Sequence, residues 1–460
     1  MKVREAKAMN HKAMTEGTPW RLILRFVLPV LAGALLQQLY NTVDAIVVGN
    51  FSGEAALSAV GTTGSLTFMF LAVAIGLSAG NGVIVAQFFG AKDQKEVRNN
   101  AAAGILFLMI LGGAAAILGI LVARPAFVYV VNVQESYLDL TLQYFRIYAV
   151  GLVFQFGYNI FSSVLRAVGD SAATLYFLLI TSILNILLDL AFVAWFRWGV
   201  AGAAAATVIS QMVSFLAAYF YMIRKYPVFR FTFRDYRWNG ETIAATIRVG
   251  FPITLQMVIA SMGMTLIQRA VNGFGQSMTA SFTVGQRIEM YLNLPCTSFQ
   301  TALATYTGQN IGARKPERVR IGVRQTMLIT LLLAVAISGA VWVLADKIII
   351  LFGLSDLAAE YCLQHLRAVA IFNIILNGYF PLFGVFQGAN HSGVPAVVAT
   401  GALSTRVMVT YLFRNGLLFG YRIIWWNGLF GFGVGFLIAW SYYLSGRWRQ
   451  DADLTGGNSV

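Results

Sequence analysis

Twelve long apolar runs, each separated from the next by a short polar segment, dominate the chain. They fall at 22–48, 56–88, 99–123, 137–166, 172–196, 199–222, 243–272, 278–308, 322–345, 358–388, 395–418 and 422–445. A helix crossing a bilayer needs about 20 mostly uncharged residues, and the longer runs predict tilt or helix projecting beyond the hydrocarbon. Helix is the expected form because lipid offers backbone groups no hydrogen-bond partner. A membrane barrel would show short alternating segments, and none is present. The pattern therefore predicts an all-α polytopic membrane protein with twelve transmembrane helices.

Composition agrees: 58% of the 460 residues are hydrophobic and 11% charged, against roughly 25% charged in a soluble domain. The net charge of +14 raises the question of a nucleic-acid partner, but Lys and Arg sit in short segments between apolar runs, so no such partner is expected. The segments 2–25, 92–98, around Arg166, 224–248, 314–324 and Arg447 with Arg449 are basic. The alternate loops hold fewer cations and several acids, among them Glu54, Glu135, Asp139, Asp356 and Glu360. By the positive-inside rule the protein is a multi-pass protein of the cell (inner) membrane with both termini cytoplasmic. No apolar leader with a cleavage site precedes Pro19, so the first run is expected to stay as a span. Cys296 and Cys362 read as small buried hydrophobes.

The chain also repeats itself at a nearly constant offset. Pro29 recurs as Pro252, and Gln87-Phe88-Phe89-Gly90-Ala91 recurs as Gln309-Asn310-Ile311-Gly312-Ala313. Arg146, Gly157-Tyr158 and Ser171 recur in the same order as Arg367, Gly378-Tyr379 and Ser392. The expected division is an N-lobe at 1–225, a basic cytoplasmic linker at 226–241 and a C-lobe at 242–460. With six spans per half, the two bundles are expected to share one orientation, related by a pseudo-two-fold along the membrane normal with a cavity between them.

An ionisable residue inside a span is expensive and marks function by default. Of 19 acids, three fall clearly inside apolar runs: Asp44, Asp189 and Glu289. Asn185 and Asp189 share one helix face at i, i+4. Asp44 and Asp189, at similar depth, suit either a proton-sharing pair or a small-cation site of oxygen ligands. Simple interhelical hydrogen bonding is the plainer alternative. Glu289 either meets a cationic substrate or pairs with Arg269 or Arg287.

These residues resemble the MATE family, the multidrug and toxic compound extrusion transporters, over about 19–449. The resemblance rests on Gln37-Gln38-Leu39-Tyr40-Asn41-Thr42-Val43-Asp44 with Val48-Gly49, on the Gln87 segment, and on Leu165-Arg166-Ala167-Val168-Gly169-Asp170. Asn185-Ile186-Leu187-Leu188-Asp189 and Gly199-Val200-Ala201-Gly202-Ala203 complete it. It implies alternating access by two six-helix bundles and export of drugs or other hydrophobic organic cations in exchange for H+ or Na+. It further implies a cation-coupling set of Asp44, Asn185, Asp189, Thr207, Tyr144 and Asn159, in the prokaryotic branch whose acidic site lies in the N-terminal lobe. Any Na+ would sit at Asp44, Asn185, Asp189 and Thr207. Two departures stand out: Leu190 follows Asp189 where many relatives have Pro, and span ten has Asn373, Asn377 and Tyr379 but no carboxylate.

The expected substrate cavity is lined by Tyr40, Phe68, Met69, Gln256, Met262, Glu289, Met290 and Asn293, because Met and aromatic faces suit varied hydrophobic cations. Pro29 removes a backbone hydrogen bond and is the expected hinge of the first span, a static kink being the alternative. A monomer without a resident cofactor is expected. A flippase for lipid-linked or amphipathic substrates is the runner-up, weakened by the scarcity of mid-span basic residues beyond Arg269, Arg287 and Arg406. An enzyme is not expected: His11, His365 and His391 form no catalytic constellation.

Overall fold

The computed structural model describes residues 13–350, 352–414 and 420–449. Residues 2–12 of the basic N-terminal segment and the end of the span placed at 395–418 lie outside them. The described residues form an all-α protein of twelve long helices. In the first half these are α1 (Pro19–Ser52), α2 (Glu54–Gly90), α3 (Gln94–Pro125), α4 (Glu135–Ala167), α5 (Ser171–Asp189) and α6 (Gly199–Lys225). The second half has α7 (Gly240–Asn272), α8 (Gln276–Gly312), α9 (Pro316–Ile350), α10 (Asp356–Asn377, resumed after a break as Leu382–Gly388), α11 (Gly393–Phe413) and α12 (Ile423–Leu444). Among the described residues, 11 spans are long and apolar enough to cross a membrane. The remaining helix, α8, has the length, but Gln286, Arg287, Glu289, Asn293 and Gln300 dilute its apolar character.

Local signals set the helix ends. Asp93 caps α3 by accepting from Glu96 N at 3.0 Å, and Asp170 caps α5 by accepting from Ala173 N at 3.4 Å, each satisfying an N–H that the helix leaves unpaired. The connecting turns repeat between the halves. Left-handed backbone occurs in pairs at Gly53 and Gly275 (φ 84° and 95°), Lys92 and Arg314 (62° and 56°), Asn132 and Gly353 (58° each), Gly169 and Asn390 (87° and 65°), and Gly199 and Gly420 (57° and 52°). The members of each pair are separated by the offset of the sequence repeat. Such φ values are uncommon outside glycine, so their recurrence at that offset carries the repeat into the backbone.

The chain forms two compact units, and their division falls inside helices, not in the 226–241 segment. The first comprises Leu28–Thr254; the second comprises Met14–Val27 and the chain from Leu255 onward. The start of α1 thus belongs with the second half of the sequence, and the start of α7 with the first. The first changes unit next to Pro29 and the second next to Pro252, both inside continuous helices.

Polar latches fix both starts. In the second unit Met14 N donates to Gln309 Oε1 (2.7 Å), Asn310 Nδ2 to the Met14 carbonyl (3.2 Å), Lys315 Nζ to the Thr15 carbonyl (3.2 Å) and Arg318 Nη2 to the Gly17 carbonyl (2.9 Å). In the first unit the segment before α7 is held by Arg98, which donates Nε and Nη2 to the two Asp235 oxygens (2.9 and 2.6 Å) and Nη2 also to the Arg230 carbonyl (2.8 Å). A two-pronged guanidinium–carboxylate pair is directional as well as charged. Thr242 Oγ1 then donates to Asn100 Oδ1 at 3.0 Å.

The Arg98 guanidinium, joined by Thr232, holds the Asp235 carboxyl well below the usual carboxylate range. A depressed folded value means the latch is fully formed above the ordinary value of about 3.9 and is lost only as pH falls through the lowered one. Hydrogen exchange over 230–237, corrected for intrinsic rates, should therefore show equal protection at pH 5 and pH 8. Asp235→Asn should speed it roughly tenfold at both, the loss of a charge-assisted bond. Wild-type protection already lost at pH 5 would refute the assignment.

Candidate functional site

Several buried polar side chains in the first unit lack a partner among the described residues, and two of the intramembrane acids are among them. Asp189, the last residue of α5, is 0% exposed, and Asn185, one turn earlier, is 1% exposed. Asp44 lies half-buried on α1. Among the described residues, Asp44 Oδ1, both Asp189 oxygens and both polar atoms of the Asn185 amide are buried with no hydrogen-bond partner. The Asp44 and Asp189 carboxyls are nonetheless neighbours, each acting on the other's charge. Two ionised carboxylates offer only acceptors, so they can meet there only by holding a proton or a cation between them. A buried charge left alone would be strongly unfavourable.

The helix changes character at this point: α5 stops at Asp189 and continues as a wider π-helical turn over Leu190–Trp195. Such turns are rare and concentrate at functional sites. The helix alters here without a proline, Leu190 opening the π-helical turn. Ser182, three positions before Asn185 on the same face, also has a buried hydroxyl without a partner. The i, i+3, i+7 spacing of Ser182, Asn185 and Asp189 would have revealed this stripe in the sequence.

Tyr40 and Tyr144 lie beside both carboxylates, so Tyr40, expected in the substrate cavity, belongs to this cluster. Tyr144 stacks on Tyr148 with ring centres 6.2 Å apart and planes at 12°. Tyr148 in turn donates to Gln155 Oε1 at 3.1 Å; sequence reasoning missed Tyr148 and Gln155, which follow Tyr144 along α4. Thr207 donates its hydroxyl to its own backbone at Ala203 (3.0 Å), and Asn159 donates its amide to Gln155 O (2.8 Å). The structure therefore gathers Asp44, Asp189, Tyr40 and Tyr144, and bonds Thr207 and Asn159 within their helices. Among the described residues no group of three or more His, Cys, Asp or Glu side chains gathers in metal-binding geometry; a cation here would need the neutral oxygens of Asn185 and its neighbours.

In the second unit Glu289 is buried, and the charge beside it is Arg406. Arg269 and Arg287, considered as its partners, are exposed. Arg406 donates Nε to Asn427 Oδ1 at 2.8 Å and lies over the Phe432 ring at 5.0 Å. His365 is stacked between Phe282 and Trp425, at 5.3 and 4.7 Å. The offset that takes Arg146 to Arg367 also takes Asn185 to Arg406 and Tyr144 to His365. The same places in the fold thus hold acid-side chemistry in one half and a guanidinium in the other. In α10, Asn373 donates to Ser338 Oγ and Asn377 to Asn373 Oδ1, both at 3.1 Å. Of the remaining expected cavity residues, Met69, Met262 and Met290 are exposed, while Phe68, Gln256 and Asn293 are half-buried.

Comparison with known proteins fits this geometry. The MatE family model matches twice, at residues 29–191 and 252–412, so that the two matches are themselves offset as the sequence repeat is. The probable multidrug resistance protein YpnP of Bacillus subtilis is 30% identical over 447 residues, covering 95% of this chain and 97% of that protein. The probable multidrug resistance protein NorM of Thermotoga maritima is 25% identical over 452 residues, covering 94% of each. Among solved structures, a MATE protein in the bent conformation aligns with a TM-score of 0.90 at 24% identity, over 97% of this chain and 99% of that one. A multidrug resistance MATE family transporter of the MOP superfamily in an outward-facing conformation aligns with a TM-score of 0.88 at 25% identity, over 97% and 99%. With both halves matched and a relative this similar along nearly its whole length, the chain belongs to the MatE family of multidrug efflux transporters.

Proposed function

We propose that this protein is a cation-coupled antiporter that exports drugs and other hydrophobic organic cations by alternating access, driven by H+ or Na+. The observation that carries the reading is the donorless carboxyl pair of Asp44 and Asp189, with the unpartnered Asn185 beside it. Loading one cation there halves the charge of the pair and relieves the repulsion between α1 and α5. Transport follows if ion and substrate bind the inward- and outward-open states with different affinity. Asn185 and Thr207 complete the oxygen set in the Na+ version, and Tyr144 donates to whichever carboxylate stays ionised. Pro29 supplies the hinge in α1, since the missing amide proton lets the helix bend at low cost.

In this reading the protein works as a monomer in the cell membrane with both termini cytoplasmic; N-lobe 1–225 and C-lobe 242–460 supply the two bundles, each completed by the start of the other lobe's first helix. Glu289, beside Arg406, takes part in substrate recognition with Met69, Met262, Met290, Phe68, Gln256 and Asn293. No observation favours the flippase alternative, and the relatives are named for multidrug resistance or export. The test is release of a fluorescent organic cation from proteoliposomes under an imposed pH gradient or an imposed Na+ gradient. One of the two should raise export at least about tenfold over the gradient-free rate; drive by neither would overturn the proposal.

A further inference from the structure

Arg98 and Arg320 occupy the same place in the repeat, within Val97-Arg98 and Val319-Arg320. Their partners differ. Arg98 is gripped at both prongs by Asp235. Among the described residues Arg320 has only a loose 3.5 Å pair with Glu317, itself 74% exposed, and its side chain is 54% exposed against 31% for Arg98. A second acid of the first half is lost as well. Tyr221 donates to Asp170 (3.0 Å), but its counterpart Tyr443 has two cations, Arg449 and Arg320, as charged neighbours, and His391 stands where the repeat places Asp170.

These groups line one cleft of about 530 Å³ between α9 and α12 in the second unit, into which Arg324 also projects. Among the described residues Arg449 Nε is buried there without a partner, and its guanidinium lies 5.0 Å over the Trp448 ring. Trp440 and Tyr443 form an aromatic wall at the helix end, the residue types that sit at lipid headgroup level. Ile321 and Leu444, 48% and 74% exposed, continue the cleft as an apolar surface along the helices. The chain thus presents three guanidiniums and a phenol with one weakly held carboxylate among them, opening onto a lipid-facing flank.

We infer that this cleft binds an anionic phospholipid, its phosphodiester held by Arg320, Arg324 and Arg449 and its acyl chains lying along Ile321 and Leu444. In the first half a carboxylate of the chain occupies the equivalent arginine; in the second half the anion comes from the membrane. Basic pockets between helix ends recognise acidic headgroups in this way. The apolar flank favours a lipid over free phosphate, which has no use for it.

The full chain in mild detergent, mixed with phosphatidylglycerol or phosphatidylcholine, allows retained lipid to be counted by native mass spectrometry. Wild type should retain phosphatidylglycerol at least about tenfold better than phosphatidylcholine, since each basic residue near an acidic lipid adds to its hold. The R320Q/R324Q/R449Q variant should lose that preference, R324Q alone should lose part of it, and R224Q, at an exposed arginine away from the cleft, should keep it. The single variant keeps the test decisive if the triple one folds poorly. Full retention by the triple variant overturns the proposal. So does complete displacement of lipid by about 10 mM inorganic phosphate, which would make the ligand a free anion. Asp451 and Asp453 follow Arg449 outside the described residues; retention that appears only in D451N/D453N would mean the chain fills the cleft itself, and also overturns it.

Discussion

Asp189→Asn should reduce gradient-driven export at least about 100-fold while leaving the protein folded and still able to bind substrate. The new amide would donate to Asp44 across the gap that now separates two acceptors, imitating the charge-loaded pair and holding it there. Asn is nearly isosteric with Asp, so packing around this fully buried residue is preserved. The unsatisfied acceptor pair disappears, so thermal stability should be equal or higher, by about 1 kcal/mol for one buried hydrogen bond gained. Asp44→Asn should behave alike from the other side. Two measurements decide it: export under pH and Na+ gradients, and substrate exchange at equilibrium, which needs no net ion movement. Export within about twofold of wild type would remove the pair from the coupling mechanism. A folded yield that collapsed would instead make Asp189 a structural residue.

The second large effect is expected at Gly80. A Cβ there would lie 2.6 Å from both the Gly250 nitrogen and the Thr246 carbonyl oxygen, and one on Gly250 would lie 2.7 Å from the Gly76 carbonyl oxygen. Gly76 and Gly80 are one turn apart on α2, and the start of α7 presses directly onto them, with Thr254 Oγ1 donating to Ala72 O at 3.3 Å. Small residues at this spacing let helix backbones touch, the main source of helix association where lipid is as apolar as the side chains. The obstructing atoms are backbone and cannot swing aside. Gly80→Ala should therefore cost about 3 kcal/mol, the upper end of ordinary overpacking. Gly64→Ala on the same helix, with open space around its Cβ, should be neutral or gain up to about 1 kcal/mol from helix propensity. Thermal unfolding of the detergent-solubilised variants reads the contrast, and equal midpoints would show that α2 and α7 are not held at this contact.

Much of this protein is legible in its sequence because lipid permits few solutions. Twelve apolar runs can only become twelve helices, and the shared offset of Pro29/Pro252 and Gln87/Gln309 reappears as paired left-handed turns. Asp44 and Asp189 were identifiable because charge inside an apolar run needs a reason. What stayed hidden depends on contacts distant in sequence. Glu289 is set beside Arg406 by the packing of α8 against other helices, not by the nearer Arg269 or Arg287. That Tyr40 lies near Asp44 and Asp189 was hidden because a single helix does not reveal which neighbour it faces. The Asp235 latch is an ordinary charged loop until Arg98, 137 residues earlier, is placed beside it. The 226–241 segment looked like a boundary because composition marks where a chain leaves the membrane, whereas compactness follows contacts made inside α1 and α7.

Those two helix starts bear on how such a chain arose. Residues 14–27 hydrogen bond to Gln309, Asn310, Lys315 and Arg318, while the start of α7 closes on Gly76, Gly80 and Asn100. Each sequence repeat therefore completes the compact unit of its sibling. An ancestor bearing a single repeat could have satisfied both sets of contacts only as a pair of copies trading their opening segments, the reciprocal exchange of domain-swapped dimers. Duplication and fusion would have made that trade covalent, leaving each copy free to diverge at equivalent places, as at Asn185 and Arg406.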